Sequence, residues 1–262
     1  MVSYLGNLKF SLNTKDEIGW RVFFAGEYER ETNHVLRCFC RTGDSILEAG
    51  ANNGSETVLL ASLVGPSGRV YAFEPIPHVR AQLETNVTLN AFQSIVTIEA
   101  RALAESAGEV DFFVMPTAAP NQGMSSRYFF SESRGKVPVI QIKLDDWMRE
   151  RGLTVLHFIK MDIQGGELGL LAGAKCTIKR LRPAVYLEAT ISEQRAAGHS
   201  MEELLDFFLA RTYRVWAFRA NRFDAIPLVS GASLVEGNWL AVPEERLAHL
   251  PSAARLFLKL ER

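Results

Sequence analysis

"ILEAGANNGSET", residues 46–57, decides how the rest of the chain is read. An apolar lead-in runs into one carboxylate, Glu48, then into two glycines four positions apart, Gly50 and Gly54, and then into residues that suit a helix. A strand that ends in a glycine turn and feeds a helix N-terminus is a seat for a nucleotide-type cofactor. Glycine lets the ligand approach the backbone, and the helix start offers free N–H groups.

Two ligand classes use such a seat. A dinucleotide sets its pyrophosphate there, and its fingerprint, G-x-G-x-x-G, carries no carboxylate in the contact zone. Here the third glycine is missing and Glu48 stands just ahead of the turn. A carboxylate beside a pyrophosphate is repelled, on the order of several kcal/mol in a partly buried site. A ligand with an ammonium and a sulfonium is attracted, which points to S-adenosylmethionine. The next apolar run, "RVYAFEP" (69–75), places Glu74 where a strand's carboxyl end meets the ligand crevice, able to accept both ribose hydroxyl protons. NAD would use such an acid too, so Glu74 identifies adenosine and Glu48 selects the sulfonium. The competing reading makes Glu48 a solvated loop acid and Glu74 a surface ion-pair partner.

Outward from this stretch, short apolar runs alternate with helical patterns, as in βαβ units around a mostly parallel sheet. Strands are expected at 45–50, 69–75, 94–103, 155–163 and 183–189, and helices at 55–65 (closed by Gly65), from Pro77, and at 165–181. Val79, Leu83 and Val87 recur at four-residue spacing, giving the Pro77 helix one apolar face. Residues 108–147 break the rhythm with two strand-like runs around "PTAAPNQGMSSRYFFSESRGK", an inserted hairpin or flap. Its residues 116–136 are expected to cover the acceptor side, with Tyr128, Phe129 and Phe130 as acceptor contacts. Ser200 and Glu203 form a capping-box pattern ahead of a helix, followed by strands at 213–220 and 237–243 and a terminal helix. One domain spans 1–262, with an N-terminal segment (1–41), a cofactor-binding core (42–190) and an acceptor-side part (191–262).

Bulk properties agree with a soluble α/β enzyme. The 262 residues are 47% hydrophobic with formal net charge −1, so no broad basic face awaits nucleic acid or anionic lipid. Three cysteines, Cys38, Cys40 and Cys176, make neither a disulfide framework nor a four-ligand zinc site. With no membrane span or leader-like segment in sight, a cytoplasmic setting is expected.

In their order, "ILEAGANNG", "GRVYAFEPIPHVRAQLETNVTLN", "ARALAE", "IKLDDW", "FIKMDIQGGELGLLAGA" and "PAVYLE" resemble the successive blocks of the FkbM family of S-adenosylmethionine-dependent methyltransferases, from about Glu29 to Glu188. The resemblance implies a class I methyltransferase (Rossmann-like) fold: a mostly parallel seven-stranded sheet with an antiparallel last strand and helices on both faces. It also implies methyl transfer to a hydroxyl of a sugar, glycan or secondary metabolite. By match to these blocks, Glu48, Gly50, Ala51, Asn52 and Gly54 form the methionine-side turn, Glu74 and Pro75 meet the ribose, Ala102 and Leu103 lie near adenine, and Asp162 sits beside the methionine and the acceptor. The chain departs from the pattern at Glu48 (more often Asp), Gln164 (commonly Glu) and His157 (commonly Asp), the last two bearing on the acceptor side. From about Thr190 onward no block is matched.

An unactivated hydroxyl must lose its proton as it takes a methyl group. Asp162 and Glu188, both at strand ends, and His199, in the loop beyond the fifth strand, are the candidate bases. Asp162 serving only the cofactor, Glu188 capping a helix and His199 as an ordinary loop residue are the competing readings. Asp145 and Asp146 suit the start of a helix better than a metal, and Trp216, Phe218 and Trp239 suit a core better than a sugar platform. The alternative function is an NAD-type oxidoreductase or an inert adenosine-binding module.

Overall fold

The computed structural model describes residues 1–14, 16–115, 126, 128, 135–218, 225–231 and 233–260. The N-terminal segment forms a small hairpin, β1 (Val2–Tyr4) and β2 (Leu8–Phe10), then helices α1 (Glu17–Ala25) and α2 (Arg30–Phe39). The core continues with β3 (Ser45–Ala49), α3 (Ser55–Val64), β4 (Arg69–Phe73), α4 (Pro77–Leu89), β5 (Val96–Glu99) and β6 (Ala102–Leu103). Next come β7 (Gly108–Val114), β8 (Gly135–Ile142), α5 (Leu144–Glu150), β9 (Phe158–Met161), α6 (Glu167–Ala172), α7 (Lys175–Leu181) and β10 (Ala184–Ala189). The chain then runs through α8 (Ile191–Ala196), α9 (Met201–Leu209), β11 (Tyr213–Phe218), β12 (Ala225–Leu228), β13 (Gly237–Pro243), a 3-10 turn (Glu244–His249) and α10 (Ser252–Phe257).

The central sheet has the order β12-β11-β13-β10-β9-β3-β4-β5. β5, β4, β3, β9 and β10 run parallel, while β13 is antiparallel to both β10 and β11. That is the expected seven-stranded arrangement with one strand added at the edge. The addition, β12, pairs antiparallel with β11 and contains Pro227. Proline has no N–H for a ladder and is tolerated at a sheet edge, so a strand of four residues around it gives little signal.

Two expected elements divide, each for a local reason. The run 94–103 splits because the chain leaves the large sheet after Glu99, whose carboxylate is taken by Arg101 and Arg151. Ala102 and Leu103 then pair with Gln141 and Ile142 of β8, in a separate sheet that also holds the β7–β8 hairpin. The helix 165–181 breaks at Gly173, where an added Cβ would lie 2.1 Å from the Ala104 carbonyl oxygen. Its second half starts afresh because Asp145 accepts hydrogen bonds from the backbone N–H groups of Cys176 (2.9 Å) and Thr177 (2.7 Å). Asp145 thus caps a neighbouring helix while sitting in the first turn of its own. Asp146 pairs with Arg149 on the surface at 2.5 Å.

Both faces of the sheet are covered. Leu47, Ile159 and Val185 look toward α5, α6, α7 and α9, with Trp147 edge-on to Tyr71 and Phe73. Ile46, Phe158 and Ala184 look toward α2, α3, α4 and α10. Trp216, Phe218 and Trp239 are buried in these two layers. Ser200 and Glu203 make both bonds of the capping box. Among the described residues no helix is long and apolar enough to cross a membrane.

Candidate functional site

A cavity of about 340 Å³ opens at the carboxyl edge of the parallel strands, within the range of small-molecule sites. The turn after β3 forms its floor. Gly50, Asn52 and Gly54 have φ of 78°, 50° and 90°, three left-handed residues in five, which favours glycine and tolerates asparagine. A Cβ on Gly50 would lie 1.9 Å from the Asp162 carbonyl oxygen, so only glycine permits this approach of β3 to β9. Gly54 serves a different purpose. It begins α3 and lies under Leu83 of α4, whose Cδ1 would be 2.8 Å from an added Cβ.

Gly50, Asn52, Glu74, Pro75, Ala102, Leu103, Asp162 and Glu188 all line the cavity. Glu74 sits where the sequence places it, its Oε2 accepting the Asn52 N–H (3.0 Å) and its Oε1 the Ile76 N–H (2.9 Å). Both oxygens are thereby aimed, and each keeps a lone pair for a ligand hydroxyl. Burial pushes the Glu74 carboxyl up to about 7, against the pull of these two N–H groups and of Arg80 and Lys160.

Asp162 and Glu188 lie side by side. The Gln164 side-chain amide donates to Asp162 Oδ1 at 3.0 Å and to Glu188 Oε2 at 3.2 Å. Repulsion from Asp162, then burial, then Glu193 raise the Glu188 carboxyl to about 9. Raised this far, the Glu188 carboxyl keeps its proton near neutrality.

Four expected site residues stand elsewhere. Glu48 is fully buried and does not line the cavity. As an interior strand residue it points toward α3, where its Oε2 accepts the Thr57 hydroxyl at 2.6 Å, one layer beneath the turn it was expected to serve. Neither Ala51 nor Gly54 reaches the cavity wall; Ala51 is packed beneath the turn and Gly54 starts the helix. His199 lies outside as well, because α8 carries the chain away to a separate hollow with Ile191, Arg195 and Leu234. His157 sits at the opposite, amino end of β9, where its Nδ1 accepts the Ser45 N–H at 2.9 Å, so its departure from the family pattern does not touch the acceptor side.

Other lining residues gave no sequence signal. Ile18, Tyr28 and Glu29 come from the N-terminal segment, Phe112 and Gln141 from the hairpin, and Glu193 from α8. Glu29 enters through a left-handed turn (φ 48°) that no periodicity announces. Of the acceptor contacts expected in the insert, Phe129 and Phe130 lie outside the described residues, as does residues 116–134 apart from Ser126 and Tyr128. Ser126 is tied to the site, its hydroxyl donating to the Gln164 carbonyl at 3.0 Å.

These features fit S-adenosylmethionine. The described lining holds Glu29, Glu74, Asp162, Glu188 and Glu193 with no Lys, Arg or His, which suits a cation and repels a pyrophosphate. Gly50 clears the floor, Glu74 offers aimed acceptors, and Gln141, beside Ala102 and Leu103, keeps a buried Oε1 without a partner that can accept from an amino group.

Comparison with known proteins agrees. The Methyltransferase FkbM domain model matches residues 48–215, reaching past Thr190 into β11, so part of the C-terminal section belongs to the family pattern after all. The chain is 27% identical to the 2-O-methyltransferase NoeI of Sinorhizobium fredii over 173 residues, 62% of this chain and 69% of NoeI. A shorter stretch of 56 residues is 38% identical to a protein-L-isoaspartate O-methyltransferase of Aeropyrum pernix, covering 21% of this chain and 22% of that one. The fold matches the crystal structure of an FkbM methyltransferase from Methylobacillus flagellatus with TM-score 0.50 at 18% identity, over 76% of this chain and 43% of that chain. The chain belongs to the FkbM family of S-adenosylmethionine-dependent methyltransferases.

Proposed function

We propose that this chain methylates a hydroxyl oxygen of a sugar, glycan or comparable polyhydroxy metabolite. The observation that carries the reading is the Asp162–Glu188 pair at the cavity wall, next to the glycine turn and Glu74. A carboxylate pair at that place can take the proton of a neutral hydroxyl, the one demand a methyl acceptor of low acidity makes on the protein. The name of the relative NoeI, a 2-O-methyltransferase, supports oxygen as the acceptor atom.

In this reading Glu74 holds the ribose, Gly50 and Asn52 border the methionine end, and Ala102 and Leu103 flank the adenine. The bound cofactor supplies its methyl group as an electrophile. Asp162 and Glu188 orient the acceptor hydroxyl and accept its proton, with Asp162 also facing the cofactor's ammonium. The hairpin wall of Phe112 and Gln141 and the N-terminal Tyr28 keep water from that space.

Two measurements test this. S-adenosylmethionine and S-adenosylhomocysteine should raise the melting temperature while NAD should not; stabilisation by NAD alone overturns the reading. With labelled S-adenosylmethionine at saturating concentration and a panel of neutral glycans, Asp162→Asn and Glu188→Gln should each cut the rate by about two to four orders of magnitude, beyond the weaker cofactor binding that follows from the lost charge. His199→Ala, outside the cavity, should leave the rate alone. Wild-type rates in both carboxylate variants would remove the pair from the chemistry.

A further inference from the structure

We infer that Gln164 is a positioning residue, whose side-chain amide holds Asp162 and Glu188 together as a single proton-accepting unit. The inference rests on the pair being the base of the proposed reaction, but its geometry stands apart from that reading. The amide donates to both carboxylates at once, at 3.0 and 3.2 Å. An amide nitrogen carries two N–H donors and no charge, so it can bind two acids without adding a third negative charge. A glutamate at this place would donate to neither unless protonated.

The turn that aims Gln164 is fixed on every side. Gln164 itself is left-handed with φ 52°, and Gly165 follows at φ 94°. A Cβ on Gly165 would lie 2.6 Å from the Glu193 carbonyl oxygen, so the turn is pressed against α8. The Ile163 N–H donates to Glu167 Oε1 at 3.0 Å, and Glu167 Oε2 accepts the Gln194 amide at 2.8 Å. Ser126 holds the Gln164 carbonyl from the hairpin side. A left-handed non-glycine residue is uncommon and is retained where the surroundings impose it. Here they impose one direction on one amide.

The electrostatic consequence follows from what faces the pair. Lys160 lies 3.9 Å from Asp162 Oδ2, while Glu29, Glu193 and, deeper, Glu48 and Glu56 add negative charge around the two acids. Against those acids Gln164 and Lys160 are the donors that favour the ionised form. Removing the amide should move the pair's titration upward, since hydrogen bonds to a carboxylate stabilise its charge.

Carboxyl-carbon NMR titration of the protein without acceptor tests this, comparing wild type with Gln164→Met, Gln164→Asn and Gln164→Glu. Gln164→Met, similar in length and without donors, should raise the titration of the pair by about one to two pH units. Gln164→Asn, too short to reach both acids, should fall between, and Gln164→Glu should move it further than Met. Melting temperatures measured alongside separate this from loss of fold, and if Gln164→Met fails to fold, the Asn and Glu variants carry the same comparison. An unchanged titration in folded variants overturns the inference. Because no acceptor is present, a shifted titration supports the positioning role even if Asp162→Asn and Glu188→Gln later prove active, which would sink the base assignment alone.

Discussion

On one face of the central sheet Leu47, Ile159 and Val185 lie side by side; on the other, one residue further along the same three strands, Glu48, Lys160 and Tyr186 do. The first row is buried among Trp147, Leu170 and Leu205. The second is buried just as deeply, but it carries charge. Lys160, the one buried cation among the described residues, stands 3.8 Å from Glu56 and 3.9 Å from Asp162. Burial works against its charge, yet Glu56, Asp162, Glu48 and Glu29 together hold it strongly protonated. Tyr186 continues the row to Thr32 (3.1 Å), whose hydroxyl donates to Glu29 at 2.8 Å. Side chains alternate along a strand, so two steps further the polar face delivers Gly50, Asp162 and Glu188 to the cavity. The contrast teaches that the site is the exposed end of a buried charged row. Such a row is weak evidence for stability, because desolvation offsets much of the attraction, and its place under the cavity indicates why it is kept.

The largest expected effect comes from breaking the row at its cation. Lys160→Met should leave Glu48 and Glu56 buried without a counter-charge and destabilise the fold by about 3–5 kcal/mol near neutral pH. On the apolar face Leu187→Ala should cost roughly 2–5 kcal/mol through its cavity, so size alone does not separate the faces. pH does. At pH 5 the stranded acids take up protons and the Lys160→Met penalty shrinks, whereas the Leu187→Ala penalty stays. Urea unfolding at pH 5 and 8 reads this; equal penalties for Lys160→Met at both would mean that no charge is stranded.

A smaller effect sharpens the comparison at the cavity. Burial holds Glu29 and Glu74 up to about 7, and the pair raises Glu188 to about 9. A cationic ligand needs these groups ionised, so its binding releases protons. S-adenosylmethionine affinity should therefore rise between pH 6 and 9, by up to about tenfold per pH unit for each proton released. S-adenosylhomocysteine, lacking the sulfonium charge, should show a shallower slope. Glu74→Ala should weaken both ligands through its lost ribose bonds, roughly 1.5–3 kcal/mol each. Calorimetry across this range decides; parallel slopes for the two ligands would mean that the cavity does not sense the sulfonium.

The two faces also differ in how far the sequence discloses them. Strand runs, the glycine turn and Glu74 are legible because local rules govern them: alternation, left-handed φ and a strand end. Glu48 is legible as an acid near the turn but not as a buried one, since the face it takes depends on where β9 and α3 lie. Lys160 in "FIKM" reads as one polar residue in an apolar strand, and nothing local reveals that Glu56 of α3 and Glu29, just ahead of α2, gather around it. Glu29, Gln141 and Glu193 reach the cavity from segments distant in sequence. Gln164 is visible as an exception to the family pattern, while its two hydrogen bonds, one to Asp162 and one to Glu188, need the turn's geometry.

The last test concerns the end of the row, where function and stability should part. Glu188 titrates near 9 in the folded chain, against roughly 4.3 in an unfolded one. The folded state thus binds more protons between those values, and the stability this contributes is complete below about 4.3 and lost as pH rises through about 9. Glutamine in its place removes the titration and with it the slope. Glu188→Gln should be closest to the wild type in stability at pH 5 and exceed it at pH 9, where the wild type must hold a second negative charge beside Asp162. Urea unfolding at the two pH values measures the gap. A gap that fails to widen would mean that Asp162 and Glu188 do not repel one another in the folded chain. A gap that widens while methyl transfer is lost would show a carboxylate kept at the cavity against the interest of the fold.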